Sequence, residues 1–159
     1  MLTQASSSAL MARFELAASP GAPYQARHFV RHALASWSIG GELVETATLV
    51  ASELVANAAK AAGVTTDSGG SSESGLGQIL LMLCYARQVL RIEVTDASTN
   101  PPVLSAVPPD AESGRGLFII DALTTEWSYS FLPAGLGKTV YCVLPAGDRP
   151  DADDLRAAS

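Results

Sequence analysis

The chain has 159 residues, close to the usual length of one domain and long enough to bury a sizeable core. Hydrophobic residues make up 48% of the sequence, which excludes a disordered chain. The formal net charge is −6 and the basic residues form no cluster, so the composition argues against a protein that binds nucleic acid, because phosphate backbones are bound by basic surfaces.

Two further features limit the class of protein. Cys84 and Cys142 both lie in apolar, strand-like runs, which favours buried free thiols over a disulfide scaffold or a zinc site. The first residues carry neither a basic segment nor a long apolar one, so we expect no signal peptide. No stretch approaches the ~20 apolar residues that cross a bilayer. We therefore expect a cytoplasmic protein without a membrane partner.

The first half of the chain predicts one strand and two helices. Residues 1–10 are rich in Ser and Ala, and we expect them to be disordered. Alternating apolar residues then predict a short strand over 12–18. Apolar residues three and four positions apart predict one helix over 22–37 and a longer one over 42–62. A Gly/Ser-rich connection follows over 63–77.

The second half predicts four strands and one short helix. A continuous apolar run and an alternating run predict a β-hairpin over 78–85 and 89–95. A Pro-rich irregular segment follows over 97–114, and the polar, acidic tail over 147–159 is expected to be disordered. The other predicted elements are a helix over 115–123, a strand over 125–131, a turn over 133–137 and a strand over 138–144.

The order of these elements indicates the fold class. Helices are few and clustered, and the strands come largely as hairpins, which favours an α+β protein whose helices cover one face of the sheet. We therefore predict a two-layer α/β sandwich with a mixed, mostly antiparallel sheet. It forms a single domain over 11–146, between a disordered N-terminus and a disordered acidic tail.

Two polar side chains stand out on the second predicted helix. Glu53 and Asn57 are four residues apart and lie on one face. Their neighbours on the helical wheel are Leu49 and Val50, whereas Ser52 falls on the solvent face. A satisfied polar pair at the helix rim explains this pattern as well as a functional pair does. In the functional interpretation, Asn57 offers an oxygen to a hard cation and Glu53 orients or deprotonates a nucleophile.

Three shorter motifs are weak when taken singly. Asp96 ends a strand, where it either accepts a hydrogen bond from a ligand amine or initiates a turn. Gly114 and Gly116 precede the short helix, whose free backbone N–H groups suit phosphates, although a flexible loop has the same pattern. Thr139 opens the last strand, where its hydroxyl either lies beside a bound base or ends a turn. The chain has no phosphate-binding loop of the Walker type.

A pair of histidines on the first predicted helix has the spacing of metal ligands. His28 and His32 are four residues apart, but no third ligand lies nearby in the sequence. Both share the polar side of the helix with Gln25 and Arg31. We therefore predict a solvated helix face rather than a metal site.

The order of the motifs resembles the nucleotide site of the GHKL ATP-binding superfamily. Within that superfamily the chain is most similar to the actinobacterial anti-sigma factors of the serine-kinase type, and the similarity covers residues 12–145. The family's N box, G1 box, G2 box and closing threonine match, in this order, Glu53 and Asn57, Asp96, Gly114 and Gly116, and Thr139.

The resemblance implies the Bergerat fold, which is the histidine-kinase-like ATPase fold, with ATP and Mg²⁺ as cofactors. It implies that Asn57 holds Mg²⁺ and that Glu53 is the general base acting on a hydroxyl or a water. Asp96 then receives the adenine amino group, with help from Thr139. A loop over 99–113 is the implied ATP lid. The backbone amides that contact the phosphates are implied to come from Gly114, Arg115, Gly116 and Leu117.

One position departs from the family's pattern. Ser98 stands where the G1 box usually has its second glycine. A loop rich in Ser and Pro at this place is shared by part of the actinobacterial group, and Ser98 is therefore counted among the nucleotide-binding residues. Lys60, just after the N box, falls on the solvent side of its helix, so we assign it no phosphate contact.

The resemblance implies an ATP-dependent serine/threonine protein kinase that is also an anti-sigma factor. Its implied partners are a sigma factor, a small antagonist protein of the STAS type that it phosphorylates, and a second copy in a homodimer. Two alternatives remain open. The chain is either a nucleotide-binding module that switches partners without phosphoryl transfer, or an interaction domain that does not bind ATP.

Overall fold

The computed structural model describes residues 9–63, 77–102 and 116–146. Every predicted element occurs there, with bounds within two residues of those predicted. The elements are β1 (Leu10–Ala17), α1 (Ala22–Ser36), α2 (Glu42–Ala61), β2 (Gln78–Ala86), β3 (Val89–Asp96), α3 (Gly116–Leu123), β4 (Glu126–Phe131), a 3-10 turn (Pro133–Gly135) and β5 (Lys138–Pro145).

Several expectations fall outside the described residues. These are residues 1–8 of the N-terminus expected to be disordered over 1–10, most of the Gly/Ser-rich connection, most of the lid and the acidic tail. Leu10, which was expected in the disordered N-terminus, is the first residue of β1. Gly114 and Arg115 of the predicted phosphate loop also lie outside the described ranges.

The five strands form one sheet in the order β1-β2-β3-β5-β4. All four pairings are antiparallel, so the predicted mixed sheet has no parallel pair within the described part of the chain. The tight hairpin between β2 and β3 has only Arg87 and Gln88 between its paired ends. Both residues have positive φ, as a type I′ turn requires, and such a turn matches the twist of the flanking strands.

The three helices cover one face of the sheet, which confirms the predicted α+β sandwich. Helix α1 lies against β1, α2 against the central strands, and α3 between α2 and β4. Side chains alternate along each strand, so every second residue of the central strands points into this core. The buried faces of these strands comprise Ile79, Leu81 and Leu83 of β2, Leu90, Ile92 and Val94 of β3, and Val140, Cys142 and Leu144 of β5.

The contact between α1 and α2 corrects one prediction. Ser52 was expected on the solvent face of α2, but it is buried, with only 7% of its surface exposed. The Nη1 group of Arg27 on α1 donates a hydrogen bond of 2.8 Å to its Oγ. Helix α1 covers this side of α2, and a helical wheel of α2 alone could not show that. His28 and His32 lie on the exposed side of α1, as predicted.

Candidate functional site

A cavity of about 210 Å³ lies between α2 and the ends of β3 and β5. Leu54 from α2, Val94 from β3 and Val140 from β5 supply apolar walls. The segment after β3 closes one side, as far as Pro102, the last described residue before the gap at 103–115. The polar residues of the lining are Asn57, Asp96, Ser98, Asn100 and Lys138.

The most deeply buried polar groups of the lining are Asp96 and Lys138. Each side chain is only 5% exposed, and the Lys138 Nζ group donates a hydrogen bond of 2.9 Å to Asp96 Oδ1. The backbone N–H of Ser98 donates to the same oxygen at 2.7 Å. Burying either charge alone is costly, so the two compensate each other. Oδ2 of Asp96 takes part in neither bond.

The pair is held by the register of β3 and β5, in which Asp96 and Lys138 are direct partners. Gly137 makes this register possible. Its φ is +133°, and a Cβ atom there would lie 2.0 Å from the backbone oxygen of Asp96. Only glycine lets the two chain segments approach so closely. The backbone N–H of Leu132 donates to the Gly137 oxygen at 2.9 Å and fixes the turn before β5.

The two residues of the predicted N box differ in their relation to the cavity. Asn57 is half-buried and belongs to the lining. Glu53 is also half-buried, one helical turn earlier on α2, but it is not among the lining residues. The structure therefore brings Asn57, Asp96 and Ser98 to one cavity, whereas Glu53, about one helical turn before Asn57, is not part of the lining.

Thr139 is not brought to the cavity. Because side chains alternate along β5, Lys138 points to the cavity side of the sheet and Thr139 to the opposite side. There the Thr139 hydroxyl shares a hydrogen bond of 2.7 Å with the hydroxyl of Thr95. The position that faces Asp96 across the strand pair is thus Lys138.

The sequence itself carries a signal for the burial of Lys138. Lys138 shares its strand face with Val140 and Cys142, and Asp96 shares its own with Val94. A charged residue at the end of an apolar strand face is rarely buried without a partner of opposite charge. Lys138 and Asp96 are two such residues of opposite charge, and their strands are predicted to lie in one sheet. The sequence therefore indicates that they form a buried ion pair.

The predicted phosphate-binding residues are described in part. Gly116 is the first residue of α3 and Leu117 is the second. The first backbone N–H groups of a helix have no partner within the helix, and they suit an anionic ligand. Helix α3 packs beside α2, the helix that carries Asn57. The roles of Gly114, Arg115, Gly116 and Leu117 stay predictions.

Other titratable groups lie away from the cavity lining. Both cysteines are free, as predicted; Cys142 is buried and Cys84 is half-buried. Burial raises the pKa of the Cys142 thiol to about 12.

Among the residues that the structure describes, no group of three or more His, Cys, Asp or Glu side chains is arranged to hold a metal ion. No helix of the described ranges is long and apolar enough to span a membrane.

Comparison with known proteins identifies relatives of the chain. The family model described as the histidine kinase-like ATPase domain matches residues 16–143, which include α1, α2 and α3, the whole of β2, β3 and β4, and part of β1 and β5. No curated protein sequence matches the chain.

Several solved structures match the chain, and the following two are among them. The RsbU and RsbW domains of Rv1364c from Mycobacterium tuberculosis match with a TM-score of 0.58 and 19% identity, over 86% of this chain and 32% of that one. A histidine kinase domain of the blue-light activated histidine kinase of Erythrobacter litoralis matches with a TM-score of 0.39 and 21% identity, over 67% of this chain and 47% of that one. The chain thus spans about a third of the Mycobacterium structure's length.

Proposed function

The chain belongs to the histidine kinase-like ATPase domain family, and from that premise we propose that its cavity binds ATP together with Mg²⁺. One observation carries the proposal. Asn57 and Asp96, the residues for which the resemblance implies roles toward Mg²⁺ and adenine, line the same cavity although they are far apart in the sequence.

The chemistry of the lining supports a nucleotide base near Asp96. The walls formed by Leu54, Val94 and Val140 suit the two faces of a flat ring, and a buried carboxylate suits an amino group at the ring's edge. The cavity of about 210 Å³ is smaller than the ~300 Å³ at which small-molecule sites begin, so we assign it to the base end of the nucleotide.

In this proposal the triphosphate extends toward Asn57 and the N-terminus of α3. The Asn57 carboxamide oxygen is a hard donor of the kind that Mg²⁺ prefers. Bound Mg²⁺ supplies charge neutralisation to the phosphates. The backbone amides of residues 114–117 donate to the phosphate oxygens, as the family resemblance implies.

The proposed activity is phosphoryl transfer to a serine or threonine hydroxyl of a protein. The Glu53 carboxylate accepts the hydroxyl proton while the hydroxyl oxygen bonds to the γ-phosphorus. The bond from that phosphorus to the β–γ bridging oxygen breaks, and ADP leaves. The position of Glu53 one turn before Asn57, on the same face of α2, supports this role.

The proposed acceptor is an anti-sigma-factor antagonist of the STAS type, and the proposed second partner is a sigma factor. The fold shared with the structure that contains an RsbW domain supports a regulatory protein of this kind. A homodimer and a cytoplasmic location are further parts of the proposal.

Binding of ATP is tested by calorimetry. Wild-type protein is titrated with ATP in Mg²⁺ and in EDTA, and Asn57→Ala is compared with Lys60→Ala, a matched control because Lys60 is exposed on the same helix. We expect binding that requires Mg²⁺ and Asn57 and that is unchanged in Lys60→Ala. Absence of binding at millimolar ATP would refute the proposal and favour an interaction domain.

A second candidate function is a nucleotide-binding module that switches partners without phosphoryl transfer. It is favoured by the position of Glu53 outside the cavity lining. The two functions are separated by incubating wild-type protein and Glu53→Gln with γ-labelled ATP and a panel of purified STAS-domain proteins. Label transfer that is lost in Glu53→Gln, with ATP affinity retained, supports the kinase. ATP binding without transfer to any member of the panel supports the second candidate.

A further inference from the structure

The Lys138 ammonium occupies the place beside Asp96 in the proposed base site. It is buried, it faces the cavity, and it uses one of its three N–H donors in the bond to Asp96 Oδ1. Thr139, which the family resemblance implies as the helper of Asp96, lies on the opposite face of the sheet. A ligand edge that reaches Asp96 therefore meets an ammonium, not a hydroxyl.

We propose that Lys138 is a specificity-determining residue that donates a hydrogen bond to the N1 atom of adenine. The inference rests on the proposed ATP site. In it, Asp96 Oδ2 accepts a hydrogen bond from the N6 amino group, and the Lys138 Nζ group bridges Asp96 Oδ1 and N1.

The pattern of donors and acceptors supports this assignment. Adenine has a donor, the N6 amino group, next to an acceptor, the N1 ring nitrogen. The pair offers the complementary order, because the Asp96 carboxylate only accepts and the Lys138 ammonium only donates. The Ser98 N–H and Lys138 both donate to Oδ1, so Oδ2 is the oxygen that neither bond engages.

The charges of the pair support the same assignment. A carboxylate and an ammonium in contact have no net charge, and this suits a neutral base better than a lone buried carboxylate would. Hydrogen bonds that involve a charged group are stronger than neutral ones, particularly away from bulk water. The Lys138 bond to N1 therefore contributes to affinity and to the recognition of the base.

The first experiment uses wild-type protein and three nucleotides. Affinities for ATP, 1-deaza-ATP and 7-deaza-ATP are measured by calorimetry in Mg²⁺. 1-Deaza-ATP keeps the amino group but replaces N1 by a carbon, whereas 7-deaza-ATP is a matched control altered elsewhere in the ring. We expect 1-deaza-ATP to bind about tenfold more weakly than ATP, or weaker still, and 7-deaza-ATP to bind nearly as ATP does.

The second experiment removes the ammonium. Lys138→Met is expected to bind ATP more weakly than the wild type and to bind ATP and 1-deaza-ATP with equal affinity. If the variant retains the discrimination between the two nucleotides, Lys138 has only a structural role and the proposal is wrong. If Lys138→Met does not fold, the double variant Asp96→Asn with Lys138→Met, which buries no lone charge, takes its place in the same comparison. In either case, equal binding of the two nucleotides by wild-type protein refutes the proposal.

The outcomes separate this inference from the proposed function. Binding of ATP and 1-deaza-ATP with equal affinity by wild-type protein refutes the role of Lys138 and leaves the ATP site standing. Absence of ATP binding by wild-type protein refutes the proposed function, and the inference falls with it.

Discussion

Each face of the sheet carries a pair formed by a carboxylate and a cationic side chain, but the surroundings of the two pairs differ. On the helix-covered face, Asp96 and Lys138 join neighbouring strands and are each 5% exposed. On the opposite face, Arg13 pairs with Glu15 along β1, and these side chains are 63% and 57% exposed. The outer pair is surrounded by water, which weakens the attraction between its charges. The inner pair has little water to replace a lost partner.

This difference in exposure predicts that the Asp96–Lys138 pair is necessary for the stability of the fold, whereas the Arg13–Glu15 pair contributes little to it. Removing one member of a buried pair leaves an uncompensated charge, whereas removing one member of an exposed pair leaves a hydrated one. The inner pair also borders the cavity, so its charges are available to a ligand. We therefore expect the Asp96–Lys138 pair to respond strongly to single substitutions and the Arg13–Glu15 pair to respond weakly.

The largest effect is expected for Lys138→Ala. The variant leaves the Asp96 carboxylate buried without its cation, and we expect a loss of about 3–5 kcal/mol in the free energy of unfolding, measured in urea. The double variant Asp96→Asn with Lys138→Met removes both charges and should recover most of that loss. A loss below ~1 kcal/mol for Lys138→Ala would contradict the contrast between the two faces.

A somewhat smaller effect is expected for Gly137→Ala. The new Cβ atom would meet the backbone oxygen of Asp96 at 2.0 Å, so the segments that hold the inner pair must separate. We expect a loss of about 2–3 kcal/mol in stability, and weaker ATP binding if the proposed site is correct. Gly135→Ala is the matched control, because Gly135 also has positive φ but has open space around its Cβ position. Equal losses in both variants would show that the close approach at Gly137 is unimportant.

The buried thiol of Cys142 predicts how the free energy of unfolding depends on pH. Burial raises the pKa of the Cys142 thiol from its ordinary value of 9.0 to about 12, and the positive charge of Arg91 opposes this rise. The native state therefore favours the neutral thiol. Its stabilising effect is complete below pH ~9 and is lost as the pH rises from there toward ~12. Between pH 8 and pH 10 we expect this thiol to account for a loss of about 1.4 kcal/mol in stability.

Unfolding in urea at the two pH values tests this expectation. Cys142→Ala should remove the loss of stability that the buried thiol causes between pH 8 and pH 10. Cys84→Ala, which removes a half-buried thiol on the outer face of β2, is the matched control. Identical pH dependence in wild-type protein and Cys142→Ala would contradict the expected role of the buried thiol.

The smallest effect is expected for Arg13→Ala on the outer face. Because the pair with Glu15 is exposed, its loss should change the free energy of unfolding by less than about 0.5 kcal/mol. Unfolding in urea at low salt measures this change in stability, and the same measurement at high salt shows how far ions screen the attraction between the two charges. A loss above ~1.5 kcal/mol would contradict the expectation that exposure makes the Arg13–Glu15 pair unimportant for stability.

The sequence predicted the elements well because each carries its own pattern. Period-two alternation identified the strands, and apolar spacing of three and four residues identified the helices. The order of Glu53, Asn57 and Asp96 along the chain also indicated a nucleotide site, and the structure brings two of these three residues to the cavity lining. The local sequence pattern did not predict that Ser52 is buried, because its burial depends on contact with Arg27 of another helix.

The amino-acid sequence by itself thus determined the secondary structure and the α+β class, and it singled out Asn57, Asp96 and Ser98 of the cavity lining, since these depend on residue type, short spacing and the order of motifs. Only the tertiary structure decided that Lys138, and not Thr139, faces Asp96. That outcome depends on the register between β3 and β5, whose partners are 42 residues apart in the chain. A shift of one residue in that register would exchange the faces of these two side chains, and the close approach of Gly137 to Asp96 holds the register in place.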